Sequence, residues 1–326
     1  SVFHVDAFTD RPFGGNPAGV VPEARGLTEA QMQAIARELN LSETAFLVPG
    51  ERDADFSIRY FTPASEVAFC GHATLGAAWL LATEYGWAKR AGQVVFHTPA
   101  GIVPVRWETD ADGRVRAAFM EQVRPQVRPT QMDAGAIARL LGLGEEDIDP
   151  RYPLRLAYTG NWDLLVPVRT RAAVDRARPD LTALAEANRR EGVISTHLFT
   201  FDAGDPAEGH LSDPEGAPAG DPVADPAGGP AVQPAWDLYT RDFSPAVGIA
   251  EDPVTGSASG ALGGYLVLEG VLDPERPHRL VMAQGDVIGR PGRVVVRIHP
   301  GADGPRIEVG GGAVVTVAGR LRLPVE

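Results

Sequence analysis

GHATLGAAWLLATEYG, residues 71–86, is the stretch that decides the fold. It predicts a helix that is apolar nearly all round, with His72 near one end and Glu84 near the other as its only titratable groups. A helix without a polar face is buried on all sides. The sequence therefore predicts that this helix lies at the centre of a folded unit and that the chain wraps around it.

A second stretch, GSASGALGGYL at residues 256–266, repeats this pattern, with a small-residue entry into an apolar helix. The upstream flanks repeat as well, because Phe61-Thr62-Pro63 precedes the first helix and Phe243-Ser244-Pro245 precedes the second. An internal repeat constrains the whole fold. We interpret it as a duplication that produced two similar halves, each with one buried helix wrapped by strands.

The repeat divides the chain into an N-terminal half at residues 1–120, with the C-terminal strand as a candidate addition, and a C-terminal half at residues 130–326. The central helices are expected at about 71–86 and about 256–269. Residues 203–234 are rich in Gly, Pro, Ala and Asp. Such a composition cannot bury a core, so we expect a surface insertion there.

Length and composition indicate an ordinary folded protein of 326 residues, ample for two domains, with 44% hydrophobic residues to build a core. No apolar run approaches the ~20 residues of a membrane span. The chain enters an alternating strand at once, so we expect no signal peptide. Its single cysteine cannot form an internal disulfide, which fits a reducing compartment. We expect a cytoplasmic protein.

The charge pattern excludes several functions. The net charge is −13 without a basic patch, which argues against nucleic acid and anionic membranes as partners. Lys89, the only lysine, falls in a turn-like segment and is a poor Schiff-base residue. The sequence has no P-loop and no G-x-G-x-x-G, and its histidines lack metal-ligand spacing. These patterns argue against pyridoxal phosphate, against the two phosphate-binding motifs and against a metal site built from histidines.

Three local patterns complete the N-terminal half. Thr28-Glu29-Ala30-Gln31 is a capping box that opens a helix running to about Leu39. The segment Phe13-Gly14-Gly15-Asn16-Pro17 is either a tight turn or a loop that presents amide groups to a ligand. In the strand Ser42–Val48, Glu43 shares a face with apolar residues, either as a charge at the rim or as a desolvated acid.

Residues 121–130 are expected to form the crossover between the halves.

The two buried helices begin at Gly71-His72 and Gly256-Ser257. If a pseudo-two-fold axis relates the halves, both N-termini can point into the cleft between them. Their free amide groups and positive dipole ends would then suit a carboxylate. Two structural helices that pack closely through small residues would give the same pattern. The stretch 256–260 is not a G-x-S-x-G elbow, because Ala258 occupies the nucleophile position.

Three motifs together resemble the phenazine-biosynthesis isomerase-like family, which has the diaminopimelate epimerase fold: Ser42-Glu43-Thr44-Ala45-Phe46, Cys70-Gly71-His72-Ala73-Thr74, and Glu251-Asp252-Pro253-Val254-Thr255-Gly256-Ser257-Ala258. The resemblance implies an α+β fold of two pseudo-symmetric halves, each a mostly antiparallel sheet rolled around a central buried helix. It also implies a homodimer and a reaction without metal or organic cofactor. The family's proton-shuttling glutamate corresponds to Glu43, and its other site positions correspond to His72, Asp252 and Ser257.

The favoured hypothesis is a cofactor-independent isomerase that moves a carbon-bound proton on a small carboxylate, cyclic or aromatic-like ones included. Glu43 is the expected general acid/base, with a proton gained and lost near neutral pH. The expected catalytic residues are Glu43, His72 and Asp252, and the expected substrate-binding residues are Asn16, Gly71, His72, Gly256 and Ser257.

Three alternatives stand beside this hypothesis. The first is a non-catalytic protein that binds small carboxylates, and the second is a hydrolase that uses Ser257. The third concerns Asp252 or Thr255, either of which would serve only as a helix cap. A racemase with two catalytic thiols is excluded, because Cys70 is the only cysteine and we expect it to be a small core residue.

Overall fold

The computed structural model describes residues 1–50, 53–202 and 236–323. These residues form six α-helices: α1 (Glu29–Leu39), α2 (Gly71–Thr83), α3 (Ala134–Leu141), α4 (Arg171–Arg176), α5 (Leu181–Glu191) and α6 (Gly256–Leu268). Their eighteen strands are β1 (Val2–Ala7), β2 (Asn16–Val21), β3 (Glu43–Pro49), β4 (Phe56–Phe61), β5 (Glu66–Val67), β6 (Gln93–Thr98), β7 (Gly101–Thr109), β8 (Val115–Glu121), β9 (Gln126–Pro129), β10 (Arg155–Tyr158), β11 (Trp162–Pro167), β12 (Ser195–Thr200), β13 (Leu238–Ser244), β14 (Ile249–Asp252), β15 (His278–Gln284), β16 (Gly292–His299), β17 (Arg306–Gly311) and β18 (Ala313–Gly319).

The first half is a mostly antiparallel sheet wrapped around α2. Strands β1 and β2 pair antiparallel, β2 and β3 parallel, β3 and β4 antiparallel, β4 and β6 parallel, and β6, β7 and β8 antiparallel in turn. Strand β18, from the other end of the chain, pairs antiparallel with β1. Helix α2 contacts strands along this sheet, β18 included.

The second half repeats this pairing order around α6. Strands β10 and β11 pair antiparallel, β11 and β12 parallel, β12 and β13 antiparallel, β13 and β15 parallel, and β15, β16 and β17 antiparallel in turn. Strand β9 pairs with β10 as β18 pairs with β1. The pairing of β8 with β17 joins the two sheets. The chain therefore has the predicted α+β fold of two pseudo-symmetric halves.

The central helices are equal in length, at 13 residues each, and both are buried on nearly every side. Small residues let the chain wrap closely around them. A Cβ added at Gly264 of α6 would lie 2.4 Å from Pro125 Cβ, and one at Gly263 would lie 2.7 Å from Val296 Cγ1. One apolar cluster, with Leu75 of α2 and Leu262 of α6 among its members, runs through both halves.

Several sequence expectations are confirmed in detail. The capping box at Thr28 and Gln31 opens α1, which ends at Asn40 in a left-handed conformation. The first central helix ends at Thr83 rather than Gly86, because Gly86 adopts a left-handed φ of 68° and starts a separate turn. Among the described residues, no helix is long and apolar enough to cross a membrane.

The crossover prediction for residues 121–130 was incomplete, because this segment contains strand β9. Its prolines argued against a strand, since proline removes a ladder donor. Among the described strands, β9 pairs with β10 alone, so one of its edges needs no donors. The predicted insertion at 203–234 lies outside the described residues.

Candidate active site

Glu43 and His72 meet where β3 begins and α2 begins. Glu43 is the first residue of β3, and its alternation places it on the face of Ala45 and Leu47, which are both buried. Its Oε2 lies 3.3 Å from His72 Nε2, and the two side chains are only 14% and 10% exposed. The two atoms lie within ion-pair distance, but their angles do not meet those of a hydrogen bond. Oε2 is therefore a buried carboxylate oxygen with no hydrogen-bond partner in the described part of the chain.

His72 is a neutral imidazole in this setting. Burial lowers the pKa of His72, and this effect outweighs the opposing influence of the nearby Glu43. The start of α2 also disfavours a positive charge. The Nε2 atom lies 3.3 Å from Ser42 Oγ, and Nδ1 lies 3.5 Å from Cys70 Sγ. A neutral ring with one donor and one acceptor can serve both neighbours.

Cys70 is a buried thiol in the apolar cluster beside His72. Burial raises the pKa of the Cys70 thiol well above its usual range, and the negative charges of Glu43 and Asp252 add to the effect. A thiol held neutral in this way is a weak nucleophile. The arrangement supports the expectation of a small core residue.

Asp252, the last residue of β14 in the second half, lies close enough to Glu43 for the two charges to interact. Asn16 of β2 donates its amide to Asp252 Oδ1 at 2.9 Å and to the carbonyl of Val254 at 2.8 Å. Thr255 donates its hydroxyl to Asp252 Oδ2 at 2.5 Å. Burial, followed by the charge of Asp242 and then that of Glu43, raises the pKa of Asp252 to about 8. Asp252 thus holds a proton at neutral pH.

The loop from Phe8 to Asn16 is held in an irregular backbone. Gly15 has a φ of 57°, and a Cβ there would lie 2.0 Å from the Ala7 carbonyl oxygen, so only glycine fits. Arg290 binds this loop through the carbonyls of Gly14 and Gly15. The result is a fixed position for Asn16, which the structure places against Asp252.

The two central helices contact each other, and neither has a side-chain cap at its N-terminus. Thr255, the N-cap residue of α6, turns its hydroxyl to Asp252 instead. Thr255 thus occupies the N-cap position of α6, but neither its side chain nor that of Asp252 makes a capping hydrogen bond, contrary to the alternative considered from the sequence. A helix start without a side-chain cap can bind an anion through first-turn amide groups.

The remaining predicted site residues lie in these first turns. Ser257 is half-buried, its carbonyl accepts a hydrogen bond from Thr159, and its hydroxyl has no partner among the described residues. Gly71 is half-buried at the start of α2. Gly256 has a packing reason to be glycine, because a Cβ there would lie 2.8 Å from the Phe8 ring.

Glu43, Cys70 and His72 are the described residues best able to hold a metal ion, since their ligand atoms lie within 4.8 Å of one another. A thiolate, an imidazole and a carboxylate form a donor set that suits zinc. Binding would first have to remove the tightly held thiol proton. That no metal is needed stays a prediction.

The sequence did not reveal Asp242 or Gln284 as part of this region. Gln284 of β15 donates its amide to the Asp252 carbonyl, and its oxygen accepts the amide of Thr255. Both neighbours of Asp242 in β13 are buried, so the strand shows no alternation. The repeat offers the missing signal, because Arg241-Asp242-Phe243-Ser244-Pro245 corresponds to Arg59-Tyr60-Phe61-Thr62-Pro63, and both Tyr60 and Asp242 are fully buried.

Comparison with known proteins decides the family. The model of the family described as "Phenazine biosynthesis-like protein" matches residues 5–234 and 231–319. The chain belongs to this family. It is 37% identical to "Uncharacterized isomerase YddE" of Escherichia coli O157:H7 over 323 residues, which cover 96% of this chain and 95% of the relative. It is also 33% identical to "Uncharacterized isomerase YfhB" of Bacillus subtilis, over 99% and 98% of the two chains.

Solved structures agree with this membership of the phenazine biosynthesis-like family. A PhzF-family protein from Bacillus anthracis matches with a TM-score of 0.80 and 31% identity, over 97% of this chain and 96% of that one. A probable proline racemase from Agrobacterium radiobacter K84 shares the fold alone, with a TM-score of 0.60 at 17% identity, over 99% and 93% of the two chains. The curated relatives, both named isomerases, indicate that this member of the family is an isomerase.

Proposed function

We propose that this protein is a cofactor-independent isomerase that moves a carbon-bound proton on a small carboxylate, with Glu43 as general acid/base. One observation carries the proposal. The Glu43 Oε2 atom is buried, has no hydrogen-bond partner among the described residues, and lies 3.3 Å from the neutral imidazole of His72, in the first turn of a buried helix. A carboxylate oxygen left unpaired in such a position is costly, which favours a role with substrate.

The chemistry needs one proton carrier. Glu43 takes a proton from a substrate carbon as its C–H bond breaks, and the electron pair delocalises into the adjoining π-system. The resulting carboxylic acid then returns the proton to a different carbon, so the protein ends unchanged. Positioned proton transfer of this kind contributes roughly 10²–10⁴ in rate. His72, whose Nε2 lies 3.3 Å from Glu43 Oε2, either holds Glu43 in place or donates its single N–H to the substrate.

The substrate carboxylate would bind at the first turns of α2 and α6. Their free amide groups offer donors, and the positive ends of two helix dipoles favour an anion. The Ser257 hydroxyl, which has no partner among the described residues, adds a further donor at α6. Negative charge that develops on the substrate during proton removal is stabilised by the same groups.

A second candidate, a non-catalytic carboxylate-binding protein, rests on the same helix starts without the chemistry. Incubating the protein in heavy water with a panel of aromatic and aliphatic carboxylates, followed by proton NMR, separates the two. An isomerase incorporates deuterium at a substrate carbon. If ligands bind but none exchanges a carbon-bound proton, the binding function gains. His72→Ala should weaken both binding and exchange.

A hydrolase acting through Ser257 has less support. No described side chain accepts a hydrogen bond from the Ser257 hydroxyl, so no base activates it. A serine-directed phosphonate should therefore leave the protein unlabelled, and stoichiometric labelling of Ser257 would favour the hydrolase.

We also propose a cytoplasmic homodimer, as the family resemblance implies. Sedimentation equilibrium on the full chain measures the oligomeric state directly, and a monomer across the micromolar range would contradict the homodimer.

A further inference from the structure

A buried polar cluster lies in the C-terminal half, next to the strand that ends at Asp252. It consists of five side chains on β11, β12 and β13, all at most 5% exposed: Asp163, Ser195, His197, Asp242 and Ser244. The proposed proton transfer uses none of them directly. Burying such groups is costly unless their hydrogen bonds are satisfied. The pattern of those bonds shows where the protons and the charge reside.

Ser195 fixes the number of protons in the cluster. Its Oγ lies 2.9 Å from Asp163 Oδ1 and 2.7 Å from Asp242 Oδ2. A hydroxyl group has a single hydrogen, so it can donate to only one of these carboxyl groups. The other carboxyl group must carry a proton and donate to Ser195 in turn. One of the two acids is therefore neutral.

The hydrogen-bond donors identify Asp242 as the ionised acid. In addition to the contact with Ser195, Asp242 Oδ1 accepts a hydrogen bond from the Ser244 hydroxyl at 2.8 Å. His197 Nδ1 lies 3.0 Å from Asp242 Oδ2 and donates to it in the tautomer that carries its hydrogen on Nδ1. Asp163 has Ser195 as its one partner among the described residues, and its Oδ2 has none. Several donors stabilise a carboxylate. Burial and then the charge of Asp242 raise the pKa of Asp163 well above its usual range.

Asp242 is the direct neighbour of Asp252. The two residues are backbone partners in the antiparallel pairing of β13 with β14, and both are buried. The other groups near Asp252 are the neutral Asn16, Thr255 and Gln284, the neutral thiol of Cys70 and the carboxylate of Glu43. The adjacent Arg241 is paired with Glu251 at 2.8 Å. The main charges acting on Asp252 are thus negative.

We propose that the ionised Asp242, held by Ser195, His197 and Ser244, adds to the effect of burial and keeps the Asp252 carboxyl group protonated, so that Asp252 meets the substrate as a hydrogen-bond donor. Asp242 is then a positioning residue that acts through Asp252 without touching the substrate. A protonated carboxyl group facing the substrate would stabilise the negative charge that forms when Glu43 removes a proton. The use of this proton rests on the proposed function, but its presence is a property of the free protein.

The test is a pH titration of the free, full-length protein with carboxyl-¹³C-labelled aspartate, followed by NMR. Asp242→Asn removes the charge, so the titration of Asp252 should move to lower pH by about one pH unit or more. Asp163→Asn is the matched control. It makes the same substitution within the same cluster, but at a carboxyl group that is already neutral, so the titration of Asp252 should stay unchanged. Signals are assigned by their loss in Asp163→Asn and Asp252→Asn.

Equal shifts in the two variants, or no shift in Asp242→Asn, would overturn the proposal. If Asp242→Asn does not fold, the wild-type spectrum still decides. Asp163 and Asp252 should both be protonated at pH 7, and an ionised Asp163 or Asp252 contradicts the assignment. Once a substrate is known, the alkaline limb of the rate profile should fall at lower pH in Asp242→Asn but not in Asp163→Asn. Failure to find any substrate would count against the proposed function and leave the titration result standing.

Discussion

At the scale of single residues, the site holds two acids, Asp252 and Glu43, in different buried environments. Asp252 retains a proton to about pH 8, whereas the Glu43 oxygen that faces His72 is left without a hydrogen bond among the described residues. Two carboxyl groups whose environments differ in this way can take different parts in one reaction. Cys70, held as a neutral thiol beside them, is unsuited to the role of the base.

The proton on Asp252 gives the folded protein a pH-dependent stability. The pKa of this carboxyl group is raised by folding, so the native state binds a proton that the unfolded state releases above about pH 4. The contribution of Asp252 therefore lowers the free energy of unfolding progressively as the pH rises from about 4 to about 8. Asp252→Asn has no proton to lose, so its stability should decline less over this window.

Urea unfolding of wild type and Asp252→Asn at a series of pH values measures this difference. The free energy of unfolding should change with pH in the surface variant Asp273→Asn, which alters an exposed acid, as steeply as it does in wild type. If the free energy of unfolding of Asp252→Asn falls with pH as steeply as that of wild type, Asp252 does not carry a proton in the native state.

At the scale of elements, the repeated helices α2 and α6 differ in how closely their neighbours pack against their glycines. A Cβ at Gly264 of α6 would lie 2.4 Å from Pro125 Cβ, whereas a Cβ at Gly76 of α2 would make ordinary contacts with Val5 at 3.4 Å. Gly264→Ala should therefore lower the free energy of unfolding by about 1–3 kcal/mol through overpacking. Gly76→Ala should be neutral or should raise it by up to about 1 kcal/mol, since alanine favours a helix.

Denaturant unfolding of both variants provides the comparison, and each serves as the control for the other. Equal effects in the two helices would show that the close approach of Pro125 does not decide the outcome.

Elements differed in how far the sequence could predict them. Both central helices were recognisable because their apolar sequence leaves no polar face, and α1 because its cap is encoded in four consecutive residues. Strands β2 and β9 were missed, because Asn16-Pro17 and Pro129 are typical of turns. Their pairing partners lie on β1, β3 and β10, and no local pattern reports such distant contacts.

At the scale of the whole molecule, one large apolar cluster spans both halves. The same apolar cluster contains Leu75 of α2 and Leu262 of α6, and β8 pairs with β17 across the junction. We therefore expect the described core to unfold in one cooperative transition. Each of the variants Leu75→Ala and Leu262→Ala should lower the free energy of unfolding by about 2–5 kcal/mol and so lower the midpoint of this single transition. Two separate transitions, each moved by one variant only, would contradict a shared core.

The candidate site illustrates what one sequence can and cannot reveal about the whole molecule. The repeat and the strand alternation placed Glu43, His72, Gly256 and Ser257 at the starts of the right elements. The contact of Asn16 with Asp252 joins residues 236 positions apart in the sequence, and only the folded loop that Arg290 binds brings them together. The sequence did not single out Asp242, because this residue lies in a strand that is buried on both faces.

The central claim is that Glu43, and not Cys70, moves the proton. The most direct measurement is the rate of deuterium incorporation at a substrate carbon in heavy water, compared among wild type, Glu43→Gln and Cys70→Ser. Glu43→Gln keeps the shape of the side chain but removes the base, so it should bind the carboxylate nearly as tightly and lose exchange by about 10²-fold or more. Cys70→Ser should retain most of the exchange. Exchange at the wild-type rate in Glu43→Gln, or its loss in Cys70→Ser alone, would contradict the account.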